Sequence, residues 1–541
     1  MPQSPLIIRG ARLPEGDGLS SLSDITIIGG RIATITPAST RPPDACSIID
    51  ANGRVCLPGL VDAHCHAQAA IFHPDVQLAL LRQGVTTVIA GQDGIGAAPS
   101  NQGSFQWSAN YFAGLDGASA RLHPGSVAQW LTTYDHATPV NVAVCVPHGS
   151  LRYLVAGAAQ RPSTPDEISQ MAHLLEVALA EGAVGLSTGL EYAPATWADA
   201  RELETLLYVV ASHQRVHASH MRGYEAAAPD AVAELISLAI ATGVATHIAH
   251  YHGDAATLGT LLDQAAAAGA PMTFDSYAYT RGCSLLAMLA LPHWLSLADA
   301  PAALAELDDA GQQPRLEAHM AALDDLWPRV TMAWVHGTDP ATGAPLDWTQ
   351  GLTLPQIALR LATSQSNAAL RLLQATSLRA TCVFQQPASD SPQAVSALAN
   401  RGEHMAGSDA VYVPFGDGHP HPRGWGAMAR WLALKVVDEK AWTWRAAADH
   451  LSARAVRRFG LGDRGVLQPG AVADLALIEP AELRDQATYD VPRALATGID
   501  DVLVAGVPVL THGQLTNLTP GMGLRWTRDT LNNLSMTKES Q

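Results

Sequence analysis

The sequence predicts an α/β barrel of eight parallel strands, with a small β-sandwich built from both chain termini. Three observations predict it. The middle of the chain alternates continuous apolar runs with Ala/Leu-rich helical periodicity, the pattern of strands covered on both faces by helices. The two ends carry short alternating runs broken by Gly-Gly and Asn-Gly, which are hairpin signals. The 541 residues, 48% hydrophobic and 15% charged, supply core enough for one large barrel and a satellite domain.

Taken in order, PLIIRGARL, DITIIGGRIATI and SIIDANGRVCL read as strands of the first segment. AVADLALIEP and IDDVLVAGVPVLTHGQL match them near the other end. Neither set can bury a sheet alone, so the small domain is expected from 1–57 plus 465–541, and the barrel from 58–464. Eight barrel strands are expected in VCLPGLVDAHCH, GVTTVIAG, VNVAVCVP, AVGLSTG, RVHASHM, GVATHIAHYH, PMTFDSYAY and HMAGSDA. Helical periodicity precedes most of them, as in ISQMAHLLEVALAEG, and eight such units imply closure. The stretch from about 285 to 386 exceeds a normal loop and reads as an inserted lid or subdomain.

Composition excludes several classes. A net charge of −17 argues against a nucleic-acid partner, which demands clustered Lys and Arg. The first residues have neither a basic n-region nor a long apolar core, and no run approaches ~20 apolar residues, so neither a secretory signal nor a membrane span is expected. Six scattered cysteines without a C-x-x-C pair read as buried thiols of a cytoplasmic protein. Lysine occurs only at Lys435, Lys440 and Lys538.

The chemistry collects at the strand ends. His64 and His66 stand two apart, so both imidazoles share one face while Cys65 turns away. Such a pair at the end of a barrel strand can clamp a borderline cation such as zinc. His220 ends RVHASHM, His250 ends GVATHIAH and Asp409 ends HMAGSDA. His217 and His247 lie three residues before His220 and His250, an odd offset that predicts the opposite face, packed against helices.

This order of residues resembles the amidohydrolase superfamily. LPGLVDAHCH, GVTTVIAG, HGSLR, GLSTGLEY, SHMR, GSD, HPHPR, GLGDRGVLQPGAVADLALIEP and the terminal GLR resemble, more narrowly, the N-acyl-D-amino-acid deacylases, or D-aminoacylases. The resemblance implies a zinc enzyme, with one or two ions, that hydrolyses the N-acyl bond of a small-molecule substrate. A bridging carboxylated lysine, common in the superfamily, is unavailable without a lysine before Lys435. The narrower family places a cysteine in a G-N-C-G pattern where this chain has Gly91-Gln92-Asp93-Gly94, so Asp93 takes the bridging position; Glu191 is the lesser alternative. The resemblance implies His220, His250 and Asp93 at the tighter site, His64, His66 and Asp409 near a second, and Asp409 as proton shuttle. It also implies substrate contacts from Arg423, Tyr192, Tyr279 and Ser284, with His252 where the family commonly has lysine.

Rival readings stay open at this point. The amide could belong to a dipeptide or a cyclic compound. Gly185-Leu186-Ser187-Thr188-Gly189 matches the G-x-S-x-G elbow of serine hydrolases, although no helix starts directly behind Ser187. A barrel that binds without catalysis is the third. The sequence is silent on oligomeric state.

Overall fold

The computed structural model describes residues 5–39, 46–412 and 418–527. Its centre is a run of eight parallel strands: β1 (Leu60–Asp62), β2 (Val85–Ala90), β3 (Asn141–Pro147), β4 (Gly185–Gly189), β5 (Val216–His220), β6 (Ala245–Ile248), β7 (Thr273–Ser276) and β8 (His404–Ala406). Each lies beside its sequence neighbour. The ring closes where the Ala63 N–H donates to the Ala406 carbonyl at 3.1 Å and Cys65–His66 pairs in parallel with Ala410–Val411. All eight predicted runs contain a barrel strand, in the predicted order.

The first run needs a correction. Residues 55–66 were expected as one strand, but the chain turns at Gly59. Val55–Pro58 joins a five-stranded antiparallel sheet with Leu475–Ile478, Ile499–Val504, Val507–Thr511 and Gln514–Leu515. A four-stranded sheet of Leu6–Ala11, Ser23–Ile28, Arg31–Pro37 and Ser47–Asp50 packs over it. Strand alternation explains the layering. Cys56, Leu475 and Leu477 face Ile8, Ile25 and Ile27 inside the sandwich, whereas Val55, Leu57, Ala476 and Ile478 face the apolar layer around the barrel. Each fully buried aliphatic side chain contributes roughly 1.5–3 kcal/mol, so the shared sheet fastens the two bodies from both of its faces. Residues 1–4, 40–45, 413–417 and 528–541, including Lys538, lie outside the described residues.

Residues 521–524 leave the small sheet and run under the barrel, where Val142 exchanges backbone hydrogen bonds with Met522 and Leu524 at 2.9 and 2.8 Å. The lower barrel interior is filled by Val61, Ile89, Ala143, Cys145, Val216, Ala218 and Met405, closed from below by Val456, Phe459 and Leu524. Between β7 and β8 sits a subdomain with its own core of Leu286, Trp327, Met332, Ile357 and Leu372. Its antiparallel sheet joins Arg281–Leu285, Thr381–Gln385 and Val330–Trp334. Among the described residues no helix is long and apolar enough to cross a membrane.

Candidate metal centre

The upper ends of the strands carry the polar residues. β1 ends at Asp62, and the backbone changes face between Ala63, in the barrel interior, and His64. The following Cys65–His66 strand pairs with Ala410–Val411; Cys65 enters the outer apolar layer, and His64 and His66 join the polar cluster. Asp93 follows β2 in the left-handed region, with φ +55°. The turn depends on Gly91, at φ +72°, where a Cβ would lie 2.4 Å from the Cys145 carbonyl oxygen. Ser187 Oγ pins the same turn, donating to the Gly91 carbonyl and accepting from the Gly94 N–H. Neither partner is an imidazole and Ser187 is fully buried, which removes it as a nucleophile.

His220 closes β5 in alternation with inward Val216 and Ala218, and His217 turns outward to Thr188 Oγ1 at 2.9 Å, as expected. His247 overturns its expectation. It lies beside Ala218 in the register, inside the barrel, with its ring edge-on to Phe459 at 5.5 Å. The reason is local: β6 ends at Ile248 and His250 takes φ +33°. A three-residue spacing that crosses such a turn no longer changes face.

Asp93 occupies the middle of the cluster. Its Oδ2 lies 3.2 Å from His64 Nε2 and 3.4 Å from His66 Nε2. Its Oδ1 lies 3.5 Å from His250 Nε2 and 3.9 Å from His220 Nδ1. Asp409 turns Oδ1 toward His66 Nε2 at 3.3 Å and Oδ2 toward the Arg423 guanidinium at 2.8 Å. Two buried groups result, His64–His66–Asp93–Asp409 and Asp93–His220–His250, each with donor atoms within 4.8 Å of one another. Asp93 Oδ1 is buried without a hydrogen-bond donor, an arrangement that is costly unless a cation faces it. Imidazoles and carboxylates are ligands that zinc accepts, so the residues present fit the ion.

The charges are mutually dependent. Burial disfavours the Asp93 anion, yet His64 and His250 hold its carboxyl well below the usual range. Burial also opposes charge on Asp409, but Arg423 and then His66 bring it down to about 2. Against burial, contacts with Asp409 and Asp93 lift His66 to about 9. Protons on these imidazoles balance the carboxylates, and a divalent ion would replace them.

Outer partners orient the cluster. Asp275 on β7 accepts from His64 Nδ1 at 3.3 Å and His247 Nε2 at 2.9 Å through Oδ2, and from the His250 backbone N–H at 3.0 Å through Oδ1. That contact leaves His64 Nε2 as the lone-pair donor. Asp62 accepts from the Ser408 N–H at 2.8 Å and the His64 N–H at 3.3 Å, tying the loop of Asp409 to the end of β1. Glu191 Oε2 lies 2.8 Å from His220 Nε2, the ring nitrogen opposite the one facing Asp93. It therefore orients His220 and does not bridge.

A cavity of about 360 Å³ opens over the cluster. Tyr192, His252 and Ser284 line it together with His66, Asp93, Glu191, His220, His250 and Asp409. The Tyr192 hydroxyl lies 3.2 Å from His220 Nδ1. His252 stacks on Tyr224, and burial with His250 and His220 nearby pushes its pKa down to about 3, so it is neutral. Tyr279 is a correction: its hydroxyl donates to Asp485 at 2.7 Å, away from the cavity. The chain leaves β7 after Ser276, and Tyr277 is the residue that reaches the cavity wall. Arg423 is fully buried beneath Asp409, with its guanidinium 4.6 Å over the Tyr277 ring, and is not on the cavity wall. Apart from the Asp409 ion pair, its nitrogens have no acceptor.

Sequence reasoning missed Asp62, Tyr224, Asp275 and Tyr277. Asp275 carried a signal, because an acidic residue inside the apolar run PMTFDSY must be paired when the strand is buried.

Residues 47–510 match the model of the Amidohydrolase family. The N-acyl-D-glutamate deacylase of Alcaligenes xylosoxydans xylosoxydans is 30% identical, over 96% of this chain and 96% of its own. The D-aminoacylase of the same organism is 30% identical, over 95% of this chain and 96% of its own. The crystal structure of N-acyl-D-glutamate deacylase from Bordetella bronchiseptica, complexed with zinc and a phosphonate inhibitor, aligns with a TM-score of 0.77 at 27% identity, covering 96% of this chain and 99% of that one. With barrel, cluster and relatives in agreement over nearly its whole length, the chain belongs to the amidohydrolase family.

Proposed function

We propose that the protein hydrolyses the amide bond of N-acyl-D-amino acids or closely related N-acyl compounds, with one or two zinc ions as cofactor. The observation that carries this reading is the Asp93 carboxylate, whose oxygens each face a different pair of imidazoles. His64, His66, Asp93 and Asp409 would hold one ion, and Asp93, His220 and His250 the other. Zinc supplies Lewis acidity for the acyl oxygen and lowers the pKa of a water toward ~7.

The remaining work falls to side chains. Asp409 keeps Oδ2 on Arg423 while Oδ1 faces the cluster, where it can take a proton from the attacking water and hand it to the leaving nitrogen. Arg423, buried beneath Asp409, fixes that carboxylate in place through the 2.8 Å ion pair. Tyr192, Ser284 and His252 add polar contacts on the cavity wall. The relatives named for small N-acyl substrates support a small-molecule substrate here.

The test is a panel of N-acetyl-D- and N-acetyl-L-amino acids assayed with purified, chelator-treated and zinc-restored protein. Hydrolysis confined to D-substrates, lost with chelator and regained with zinc, is the expected result. Turnover that ignores the chelator, or no turnover by protein containing zinc, would refute the reading.

A further inference from the structure

An N-acyl-D-glutamate or N-acyl-D-aspartate carries two carboxylates, and each needs a counter-charge when removed from water. The α-carboxylate is common to every N-acyl-amino acid, so the side-chain carboxylate is the one that needs a further counter-charge. Among the described residues that line the cavity there is no lysine and no arginine to supply it. Lysine is scarce throughout, and the buried Lys435 is paired with Glu439 at 2.6 Å. The other nitrogen groups on the cavity wall are the Gln386 amide and imidazoles: His66, His220 and His250 face Asp93, His252 stacks on Tyr224, and His319 Nε2 lies 3.1 Å from the Ala290 carbonyl. Two carboxylates outside the metal cluster, Glu191 and Glu225, face the same space.

The inserted subdomain supplies a different surface. Met288, Leu289, Leu291, Pro292, Leu323 and Phe384 form a largely apolar wall of the cavity, interrupted by His293 and His319. An acidic side chain against that wall would lose its hydration with no lysine or arginine to compensate it, and Glu191 and Glu225 would repel it. A neutral aliphatic or aromatic side chain would bury area there at no electrostatic cost.

We infer that the wall formed by the subdomain receives an uncharged, apolar substrate side chain and rejects the acidic side chains of N-acyl-D-glutamate and N-acyl-D-aspartate. The specificity rests on the proposed deacylase reading. It separates this protein from relatives of comparable similarity named for acidic substrates. The discriminating positions are Leu289, Leu323 and Phe384, all from the subdomain and none from the metal cluster.

The experiment compares kcat/KM of the zinc-loaded full-length enzyme at pH 8 for N-acetyl-D-leucine, N-acetyl-D-phenylalanine, N-acetyl-D-glutamate and N-acetyl-D-aspartate. The apolar substrates should lead by about 100-fold or more. Leu323→Arg should raise the value for the acidic pair by about tenfold or more and lower that for the apolar pair; Leu289→Arg repeats the test should the first variant not fold. An acidic substrate that matches the apolar ones in the wild type would overturn the inference and leave the deacylase reading intact. Folded arginine variants without any gain on acidic substrates would overturn the placement of the side chain at this wall. Failure to cut any of the four would refute the deacylase reading and this inference with it.

Discussion

The lower and upper ends of the same eight strands are chemically opposite. Low in the barrel, Val61, Ile89, Val216, Ala218 and Met405 meet Val456, Phe459 and Leu524 in a closed apolar plug. A few residues further along the same strands, His64, His66, Asp93, His220, His250 and Asp409 gather buried charge around a carboxylate oxygen that has no donor. The lower end gains free energy from every contact. The upper end forgoes it, because buried carboxylates and imidazoles without their ion are strained electrostatically. Stability and chemistry are thus separated along the barrel axis, and substitutions at the two ends should fail in different ways.

The largest expected effect is at the top. Asp409→Asn should lower kcat by about 10²–10⁴-fold, the span of general acid–base catalysis, while thermal unfolding of the zinc-loaded protein stays within a few degrees of wild type. Near-normal turnover would break the comparison, since the upper end would then hold no indispensable proton carrier. At the bottom the pattern should invert. Phe459→Ala, in the plug and in edge contact with His247, should cost about 3–5 kcal/mol in denaturant unfolding. Activity per folded molecule should stay within about twofold.

Asp275 tests the boundary between the two ends. It joins His247, which lies in the plug region, to His64 and the backbone of His250 above. Asp275→Asn should weaken zinc binding by about 10–100-fold in a competition titration with a chromophoric chelator. Unchanged zinc affinity would show that this carboxylate serves packing alone.

The smallest effect is a pH dependence outside the metal cluster. Burial, and then His148, hold His217 neutral down to about 3, against an ordinary value of 6.5. The unfolded chain binds this proton below about 6.5 and the folded chain does not. Its contribution is therefore fully present above about pH 6.5 and is lost as pH falls toward 3. His217→Gln should flatten the decline in melting temperature between pH 6.5 and 4 in metal-free protein; an unaltered slope would mean that His217 is not among the groups responsible.

Much of this was legible from residue order. Every predicted barrel run holds a strand because continuous apolar runs can be satisfied only between layers. That His64 and His66 share one face, and that His220 follows Val216 and Ala218 inward, agrees with period two, which a hydrogen-bonded strand enforces. The readings of His247 and of one strand through 55–66 extended that alternation past a point where the backbone turns, at His250 and at Gly59. Tyr279, implied by the resemblance, lies beyond the end of β7 and turns to Asp485. Arg423 was expected at the substrate and lies fully buried between Asp409 and the ring of Tyr277, a residue from the distant end of β7 that no local pattern brings to it.

The chain's own order of residues thus determined the kind of fold, the number of strands, the histidines and aspartates at their ends, and the absence of any lysine able to bridge a metal. These follow from short-range rules: apolar continuity, alternation, and the chemistry of each side chain. The tertiary structure alone decided that Asp93 divides its two oxygens between two imidazole pairs, that Asp275 reaches both halves of the centre, and that an inserted subdomain lends the cavity an apolar wall. Those arrangements are made where loops from distant strands converge after hydrogen-bonded regularity has ended, so packing across the closed barrel sets them.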